Sequence, residues 1–498
     1  MSPMPLTDSV FLLAESREHP MHVGGLQLYT LPDGAGPDFV SNQYRRLVDG
    51  KNVRRLFRRR PRGPVSLFGQ WSWAEDEQID LDYHVRLSAL PRPGRVRELL
   101  ELTSRLHGTL LDRHRPLWEF HLIEGLEGGR FATYGKLHHA LADGVSAMRL
   151  LLRTLSEDPA AVDLPPPWAG WSRPPCERSQ PNGSELNGGQ PNGTAPANGL
   201  NGSGGHGGLG GLGAGLGAML DVPRRAVGGT ARTIGELAGV GPALFGVVQH
   251  ALLDHGATLP FQAPRSMLNV PITGGRRFAA QSWPMARVKA VRRATRGSTV
   301  NDVVMAMCAG ALRHYLLDLG ALPDRPLVAM VPLALRTRST DGEPGGNAVG
   351  TILASLATNV ADPAERFRQI RASLEQGKQA MNGLSPLQIL ALSAMVMAPL
   401  AANPLPGVVR VAPPPFNLVI SNVPGPRRPL YWEGARLEGL YPLSIPYDGQ
   451  ALNITVTSYL DSLDFGLTGC RRSVPHLQRL LTHLETALAE LETAATAT

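Results

Sequence analysis

Short strand-like and helix-like patterns of hydrophobic and polar residues alternate along most of the chain. Residues 131–137 alternate as in a half-buried strand, and residues 145–152 carry apolar side chains at helical spacing. Alternating elements in both halves predict two layered α/β domains with an active site at their interface. In the second half the patterns predict strands at 276–284, 327–335, 349–356, 416–422 and 451–458, and helices at 284–295, 300–317, 364–381 and 474–490.

Composition predicts where these domains begin and end. Residues 1–164 form the first domain and residues 268–498 the second. Residues 165–217 are dominated by Gly, Pro, Asn and Ser, a composition that buries too little apolar surface to order itself, so a flexible linker is predicted there. Apolar residues return in 218–267, which is predicted to form a helical connector.

Two apolar stretches bear on membrane association. Residues 387–398 are almost uniformly apolar, but prolines interrupt the sequence that follows. A helix that spans a bilayer needs about 20 apolar residues. This stretch, and residues 237–253 likewise, is therefore expected to form a helix that either is buried in the core or touches lipid. The sequence leaves both interpretations open.

The bulk composition, with 43% hydrophobic and 18% charged residues, is that of a globular protein rather than a disordered or membrane-embedded one. The net charge is +7, and six arginines cluster between residues 54 and 62. They form either a solvated surface or a site for anionic lipid head groups or a phosphorylated cofactor. A nucleic acid is not expected as a partner, because no nucleic-acid-binding motif accompanies the charge.

The cysteines and the N-terminal segment indicate a reducing compartment. Cys176, Cys308 and Cys470 are odd in number and far apart, so they imply neither a disulfide framework nor a zinc site. Cys308 lies within an apolar helix pattern and is expected to be a small core residue. No basic-then-apolar signal sequence precedes the first patterned segment, so a cytoplasmic location is expected.

The heptapeptide from His138 to Gly144, His-His-Ala-Leu-Ala-Asp-Gly, is the strongest candidate for chemistry. It lies between a predicted strand and a predicted helix, where side chains can point into a cleft. A neutral imidazole is well suited to remove a proton from an alcohol near pH 7. Asp143 could orient the imidazole, but a brace that pairs with an arginine is favoured, because a carboxylate in a packed turn needs a partner. A structural role for both histidines stays open.

Five further segments accompany the heptapeptide along the chain. They are 6–12 with 19–25, 80–85, 111–119, 299–304 and 422–426. With these segments the chain resembles the bacterial wax ester synthase/diacylglycerol acyltransferase family, within the CoA-dependent acyltransferase superfamily. The resemblance covers the whole chain except the linker. It implies two chloramphenicol-acetyltransferase-like domains with the active site at their interface.

The resemblance also implies a reaction. A long-chain fatty acyl group would pass from acyl-CoA to diacylglycerol, and to long-chain alcohols, without a metal or other cofactor. His139 would be the general base and His138 a supporting residue, while Asp143 and Gly144 would shape the site. Acyl-CoA would be a co-substrate, and the protein would make peripheral contact with the inner membrane or with lipid droplets.

Other candidate residues have plainer interpretations beside a functional one. Asn301, Asp302 and Asn422 are candidates for substrate binding, although the first two could simply cap a helix and the third could end a strand in a rigid turn. The segment 116–119 is expected to shape the core or a channel. The preferred alcohol, the acyl chain length, the oxyanion donor and the oligomeric state stay open.

Two other functions are compatible with the heptapeptide. One is a condensation domain or polyketide-associated acyltransferase, which acts on acyl groups tethered to carrier proteins. The other is a catalytically weak lipid-binding protein on storage droplets. The five accompanying segments favour the lipid acyltransferase over the first of these functions. The intact His139 and Asp143 argue against the second.

Overall fold

Two six-stranded mixed sheets and one three-stranded sheet form the β structure of the residues that the computed structural model describes, which are 2–50, 52–63, 71–169, 256–338, 344–382, 388–389 and 407–496. The strands are β1 (Ser2–Pro3), β2 (His22–Thr30), β3 (Arg59–Arg62), β4 (Ser72–Glu75), β5 (Val85–Ala89), β6 (Trp118–Leu126), β7 (Arg130–His138), β8 (Arg276–Pro284), β9 (Val328–Arg338), β10 (Pro344–Ser355), β11 (Leu418–Val423), β12 (Tyr431–Trp432), β13 (Ala435–Leu443), β14 (Leu452–Tyr459) and β15 (Ser462–Cys470).

Helices cover these sheets. They are α1 (Leu6–Ala14), α2 (Phe39–Val48), α3 (Leu81–His84), α4 (Val96–Gly108), α5 (Gly144–Leu152), α6 (Met285–Ala294), α7 (Val300–Asp318), α8 (Pro363–Asn382), α9 (Val408–Val411) and α10 (Arg479–Thr496), with a 3₁₀ turn at Arg55–Arg58. Helices α2 and α5 pack on one face of the first large sheet and α4 on the other. Helix α7 is buried along most of its length in the core of the second half. The predicted layered α/β architecture is confirmed.

The strand order shows how the two halves are joined. The first large sheet runs β12-β13-β2-β7-β6-β5, and the second runs β10-β9-β11-β14-β15-β8. Strand β13 lies antiparallel to β2, so residues 431–443 of the second half complete the sheet of the first half. The predicted division at residue 268 does not include this crossover, because a hydrophobic pattern shows which face of a strand is buried and not which strand lies beside it.

Three predicted boundaries need correction. The closing helix begins at Arg479 rather than at residue 474, because His476 adopts a left-handed φ of 53° within the preceding turns. The first residues of the predicted linker are ordered, since Trp168 is 1% exposed and stacks on Trp118. The described end of the predicted helical connector, residues 256–267, consists of turns and irregular backbone.

The other helix and strand predictions agree with the structure to within a few residues, apart from the start of β10. Strand β8 has the predicted bounds, and Cys308 is fully buried in α7 as expected. The rest of the linker and connector, Cys176 and residues 237–253 lie outside the described residues, and so do residues 387–398 except for Gln388 and Ile389. Within the described part of the chain, no helix combines the length and apolar character needed to cross a bilayer.

Candidate active site

The heptapeptide forms a tight turn between β7 and α5. His138 is the last residue of β7, and the amide of Leu141 donates to its carbonyl oxygen at 2.9 Å. Asp143 is the N-cap of α5, and its side chain accepts a hydrogen bond from the Ser146 amide at 2.7 Å. Such a cap satisfies one of the amides that the first turn of a helix leaves without a partner. The Asp143 carboxylate therefore fixes the point where the turn ends.

His139 lies within this turn, and neighbours hold both its backbone and its ring. Its amide donates to the carbonyl oxygen of Met21 at 2.8 Å. Its half-buried imidazole stacks on the Phe11 ring, with a centroid distance of 4.1 Å and an interplanar angle of 22°. Burial lowers the pKa of His139 to about 4, while the charge of Asp143 opposes this effect. The imidazole is therefore neutral near pH 7 and able to accept a proton.

His138 differs from His139 in that its side chain is fully buried. Its Nδ1 accepts the Ala140 amide at 3.1 Å, which assigns the ring proton to Nε2. That Nε2 lies 3.3 Å from Oε1 of Glu15, whose side chain is 1% exposed. A buried carboxylate therefore contacts the first histidine of the heptapeptide.

Arg113 holds the carboxylate of Glu15 from the other side. Its Nε donates to Oε2 of Glu15 at 2.9 Å, and its Nη2 donates to the carbonyl oxygen of Leu12 at 2.7 Å. Burial alone would raise the pKa of Glu15, but His138 and Arg113 together bring it below its ordinary value. Glu15 is consequently ionised at neutral pH.

Sequence reasoning did not select Glu15 or Arg113. Glu15 lies between the segments 6–12 and 19–25, and Arg113 lies inside the segment 111–119 without a role assigned to it. The two residues are 98 positions apart, so no local spacing relates them. An acidic residue shortly after the segment 6–12 is the available signal, and it is too common to indicate a site.

The segment 116–119 supports the wall behind the histidines. The carbonyl oxygen of Leu117 accepts the His138 amide at 3.0 Å, and the indole of Trp118 donates to the carbonyl oxygen of Phe57 at 2.8 Å. Leu117 and Trp118 are both buried. Glu119 pairs with the fully buried Lys136 at 3.0 Å. These contacts fit the expectation that the segment shapes the core.

Asn301, Asp302 and Asn422 form a second group, in the other half of the molecule. The amide group of Asn422, near the end of β11, donates to Oδ1 of Asn301 at 3.4 Å. Asp302 and Thr299 form a capping box, in which each side chain accepts the other's backbone amide. Oδ1 of Asp302 also lies 3.9 Å from Nζ of Lys378. Asp302 thus caps α7 and pairs with a lysine, while the two asparagines join α7 to β11.

The turn from α1 to β2 brings the second half close to the heptapeptide. Nε2 of His19 lies 2.9 Å from Oδ1 of Asp448, and Arg276 donates to the carbonyl oxygen of Glu18 at 2.8 Å. The same turn ends at Met21, which holds the backbone of His139. The heptapeptide therefore lies where the two halves meet.

Comparisons with known proteins identify the family. The family described as wax ester synthase/diacylglycerol acyltransferase catalytic domain matches residues 4–304, and the WS/DGAT C-terminal domain matches residues 345–492. The chain belongs to the WS/DGAT family. A probable diacylglycerol O-acyltransferase of Mycobacterium tuberculosis is 51% identical over 481 residues, which cover 97% of this chain and 96% of that protein. The O-acyltransferase WSD of Acinetobacter baylyi is 41% identical over 488 residues, which cover 97% of this chain and 95% of that protein.

Solved structures agree with this assignment. The wax ester synthase/diacylglycerol acyltransferase of Marinobacter aquaeolei is 43% identical, with full coverage of both chains and a TM-score of 0.73. The first condensation domain of the CDA synthetase is 18% identical, with a TM-score of 0.52 over 99% of this chain and 95% of that one. The likeness to the condensation domain shows a shared fold alone. Together the two structures confirm the mixed α/β fold that the resemblance implied for this WS/DGAT chain.

Proposed function

We propose that this chain is an acyl-CoA-dependent O-acyltransferase that moves a long-chain fatty acyl group to diacylglycerol, and also to long-chain alcohols. The observation that carries the proposal is the half-buried imidazole of His139, held at the strand–helix turn by Met21 and Phe11, in a WS/DGAT family member. The printed names of the relatives, diacylglycerol O-acyltransferase and wax ester synthase, support both types of acceptor.

In this mechanism His139 acts as general base. Its imidazole removes the proton from the acceptor hydroxyl, and the alkoxide oxygen attacks the thioester carbon of acyl-CoA. The tetrahedral intermediate collapses with loss of the CoA thiolate, which takes the proton back from the imidazolium. The thioester is already activated, so neither a covalent enzyme intermediate nor a metal or redox cofactor takes part. General-base help of this kind contributes roughly 10²- to 10⁴-fold, and alignment of the two substrates supplies much of the rest.

The other residues of the site take supporting roles in this proposal. His138 supports the turn, and Asp143 fixes its end by capping α5. A Cβ built on Gly144 would meet nothing within 4 Å among the described residues, so a glycine here leaves space for substrate at the start of α5. Asn301 and Asn422 would contact substrate from the second half, with Asp302 holding the start of α7.

The substitution His139→Ala tests the proposal. We expect CoA release from acyl-CoA in the presence of diacylglycerol or hexadecanol to fall at least 100-fold, because no other group replaces the base. Circular dichroism should show an unchanged fold. His114→Ala is the matched control, since that imidazole is largely exposed, and it should retain wild-type turnover.

Three results would contradict the assignment. Near-wild-type turnover in His139→Ala would show that His139 is not the general base. If no added alcohol increased CoA release by the wild-type protein, a lipid-binding protein would be favoured. Acyl transfer that requires a carrier-protein thioester in place of acyl-CoA would favour a condensation-type enzyme.

We further propose that the protein is cytoplasmic and makes peripheral contact with anionic lipid at the inner membrane or at lipid droplets. The supporting observation is β3, an edge strand of the three-stranded sheet, which carries Arg59, Arg60 and Arg62. The first two are half-exposed and the third is exposed. Arginines near a surface of anionic lipids are attracted to it and are screened by salt.

A further inference from the structure

We propose that Glu15 is a positioning residue that fixes the turn on which His139 lies. The proposal rests on the proposed general-base role of His139. Glu15 does not reach the imidazole of His139 in the described contacts. Its carboxylate instead holds the two groups that hold the backbone of the turn.

The first route runs through Met21. Oε1 of Glu15 accepts the Met21 amide at 3.3 Å, and the carbonyl oxygen of Met21 accepts the His139 amide at 2.8 Å. One residue thus receives the carboxylate on its N–H and presents its carbonyl oxygen to the base. A shift of Glu15 would move the acceptor on which the His139 backbone depends.

The second route runs through His138. Oε1 of Glu15 lies 3.3 Å from Nε2 of His138, and Nδ1 of the same ring accepts the Ala140 amide. The ring can accept at Nδ1 only while its proton is on Nε2, and the carboxylate stabilises that tautomer. Glu15 therefore also controls the residue that follows His139.

Glu15 itself is held in place. Arg113 donates to Oε2 of Glu15 at 2.9 Å and to the carbonyl oxygens of Leu12 and Glu15 at 2.7 and 3.3 Å. These bonds fix the C-terminal end of α1, the helix whose Phe11 stacks on the His139 ring. The end of one helix therefore contacts the base through Phe11 and holds its backbone through Glu15.

The charge of the carboxylate is part of this role. Hydrogen bonds to an ionised acceptor in a dry site are stronger than those to a neutral one. Glu15→Gln keeps the shape but removes the charge, and its amide NH₂ would face either Arg113 or the donors at Met21 and His138. Glu15→Ala removes every contact of the carboxylate. The two variants therefore separate the charge from the space that the side chain fills.

The test measures turnover and substrate affinity in the full-length protein. We expect Glu15→Ala to lower kcat roughly 30- to 100-fold, because a base displaced by about 1 Å loses alignment with the hydroxyl. The KM values for acyl-CoA and diacylglycerol should change less than about threefold, since Glu15 contacts neither substrate in this proposal. Glu15→Gln should fall between Glu15→Ala and the wild type. Glu18→Gln is the matched control, an exposed carboxylate three residues away, and should behave as the wild type.

A second measurement reads the positioning directly. In the wild type, nitrogen NMR of histidine-labelled protein should show His138 protonated at Nε2 alone. In Glu15→Gln it should show a changed tautomer or exchange between tautomers. Glu15→Gln also keeps the side-chain volume, so it covers the case in which Glu15→Ala does not fold.

The proposal is overturned if both Glu15 variants keep wild-type kcat, or if their loss appears in KM alone. An unchanged His138 tautomer in Glu15→Gln would also overturn it. If the wild type itself turns over no acyl-CoA, the proposed function fails, and the NMR comparison still decides whether Glu15 holds His138.

Discussion

At the residue scale, two adjacent histidines acquire different tasks from the geometry of a strand end. His138, the last residue of β7, turns its ring toward a buried carboxylate. His139 follows in the turn, and its ring stacks on Phe11. The ring of His138 belongs to the strand and is fully buried, whereas the ring of His139 lies on the turn and is half-buried. The heptapeptide puts the two histidines side by side in the sequence, and the end of β7 gives them different surroundings.

The role of Asp143 can be tested at this scale. Asparagine is as good an N-cap as aspartate, so Asp143→Asn should keep the bond to the Ser146 amide while removing the charge. Removal of the charge lowers the pKa of His139 further, so its imidazole stays neutral near pH 7 but becomes a weaker base. We therefore expect kcat to fall less than about tenfold. Asp143→Ala should also lose about 1 kcal/mol of stability.

Steady-state kinetics with acyl-CoA and diacylglycerol, together with thermal unfolding, measure both effects. A loss of about 10³-fold or more in Asp143→Asn would mean that the carboxylate orients the base, and the capping interpretation would then be insufficient.

At the element scale, the glycines of the segment 19–25 let β2 pack closely against its neighbours. A Cβ on Gly24 would lie 2.8 Å from the ring of Tyr134, and a Cβ on Gly25 would lie 2.8 Å from Leu151 of α5. Gly135 on the adjacent strand leaves a similar space for the same leucine. Helix α5 therefore approaches β2 and β7 closely, and its first turn carries the end of the heptapeptide.

The edge strand β3 makes the membrane proposal testable. Replacing Arg59 and Arg60 with glutamine should weaken binding to vesicles that contain anionic phospholipid. At about 1 kcal/mol for each arginine near the surface, the loss is about 2 kcal/mol, or roughly 30-fold. Co-sedimentation with vesicles of phosphatidylglycerol and phosphatidylcholine, compared with phosphatidylcholine alone, measures it.

The control for that experiment is the double replacement Arg95→Gln and Arg97→Gln. It removes the same charge from two exposed arginines at the start of α4, the N-cap Arg95 and Arg97, which already pair with Glu98 and Glu101. Equal weakening by both double variants would show that overall charge, and not β3, governs adhesion.

At the scale of the whole molecule, the crossover strand β13 links the two large sheets. Asp464 on β15 is fully buried, and its Oδ2 accepts the Leu440 amide of β13 at 2.8 Å. Its Oδ1 accepts the hydroxyl of Ser282 on β8 at 2.6 Å. Burial raises the pKa of Asp464 to about 6, although both hydrogen bonds act in the opposite direction. One carboxyl group thus joins strands of both sheets in a site that favours its protonated form.

The pH dependence of unfolding follows from that shift. The folded-state pKa lies above the ordinary value of 3.8, so this group favours folding most at low pH, and its contribution is lost as the pH rises from about 4 through about 6. The shift of about two pH units corresponds to roughly 3 kcal/mol. Asp464→Asn cannot ionise, so the variant should gain stability relative to the wild type between pH 4 and pH 7.

Thermal unfolding at a series of pH values measures this difference. A constant offset between the two proteins across that range would contradict the buried carboxyl group as its source. Ser462, on the same strand and half-exposed, provides the control Ser462→Ala, whose effect should not depend on pH.

The sequence by itself determined the local features of this protein. Hydrophobic periods located β7, α5 and most of the helices and strands of the second half, including the start of α7, and the heptapeptide with its accompanying segments indicated the family. Only the tertiary structure decided that β13 completes the first sheet and that Glu15 contacts His138. Those pairs are separated by more than a hundred residues in the chain. A local pattern records which side of an element is buried, whereas its partner depends on how the whole chain packs.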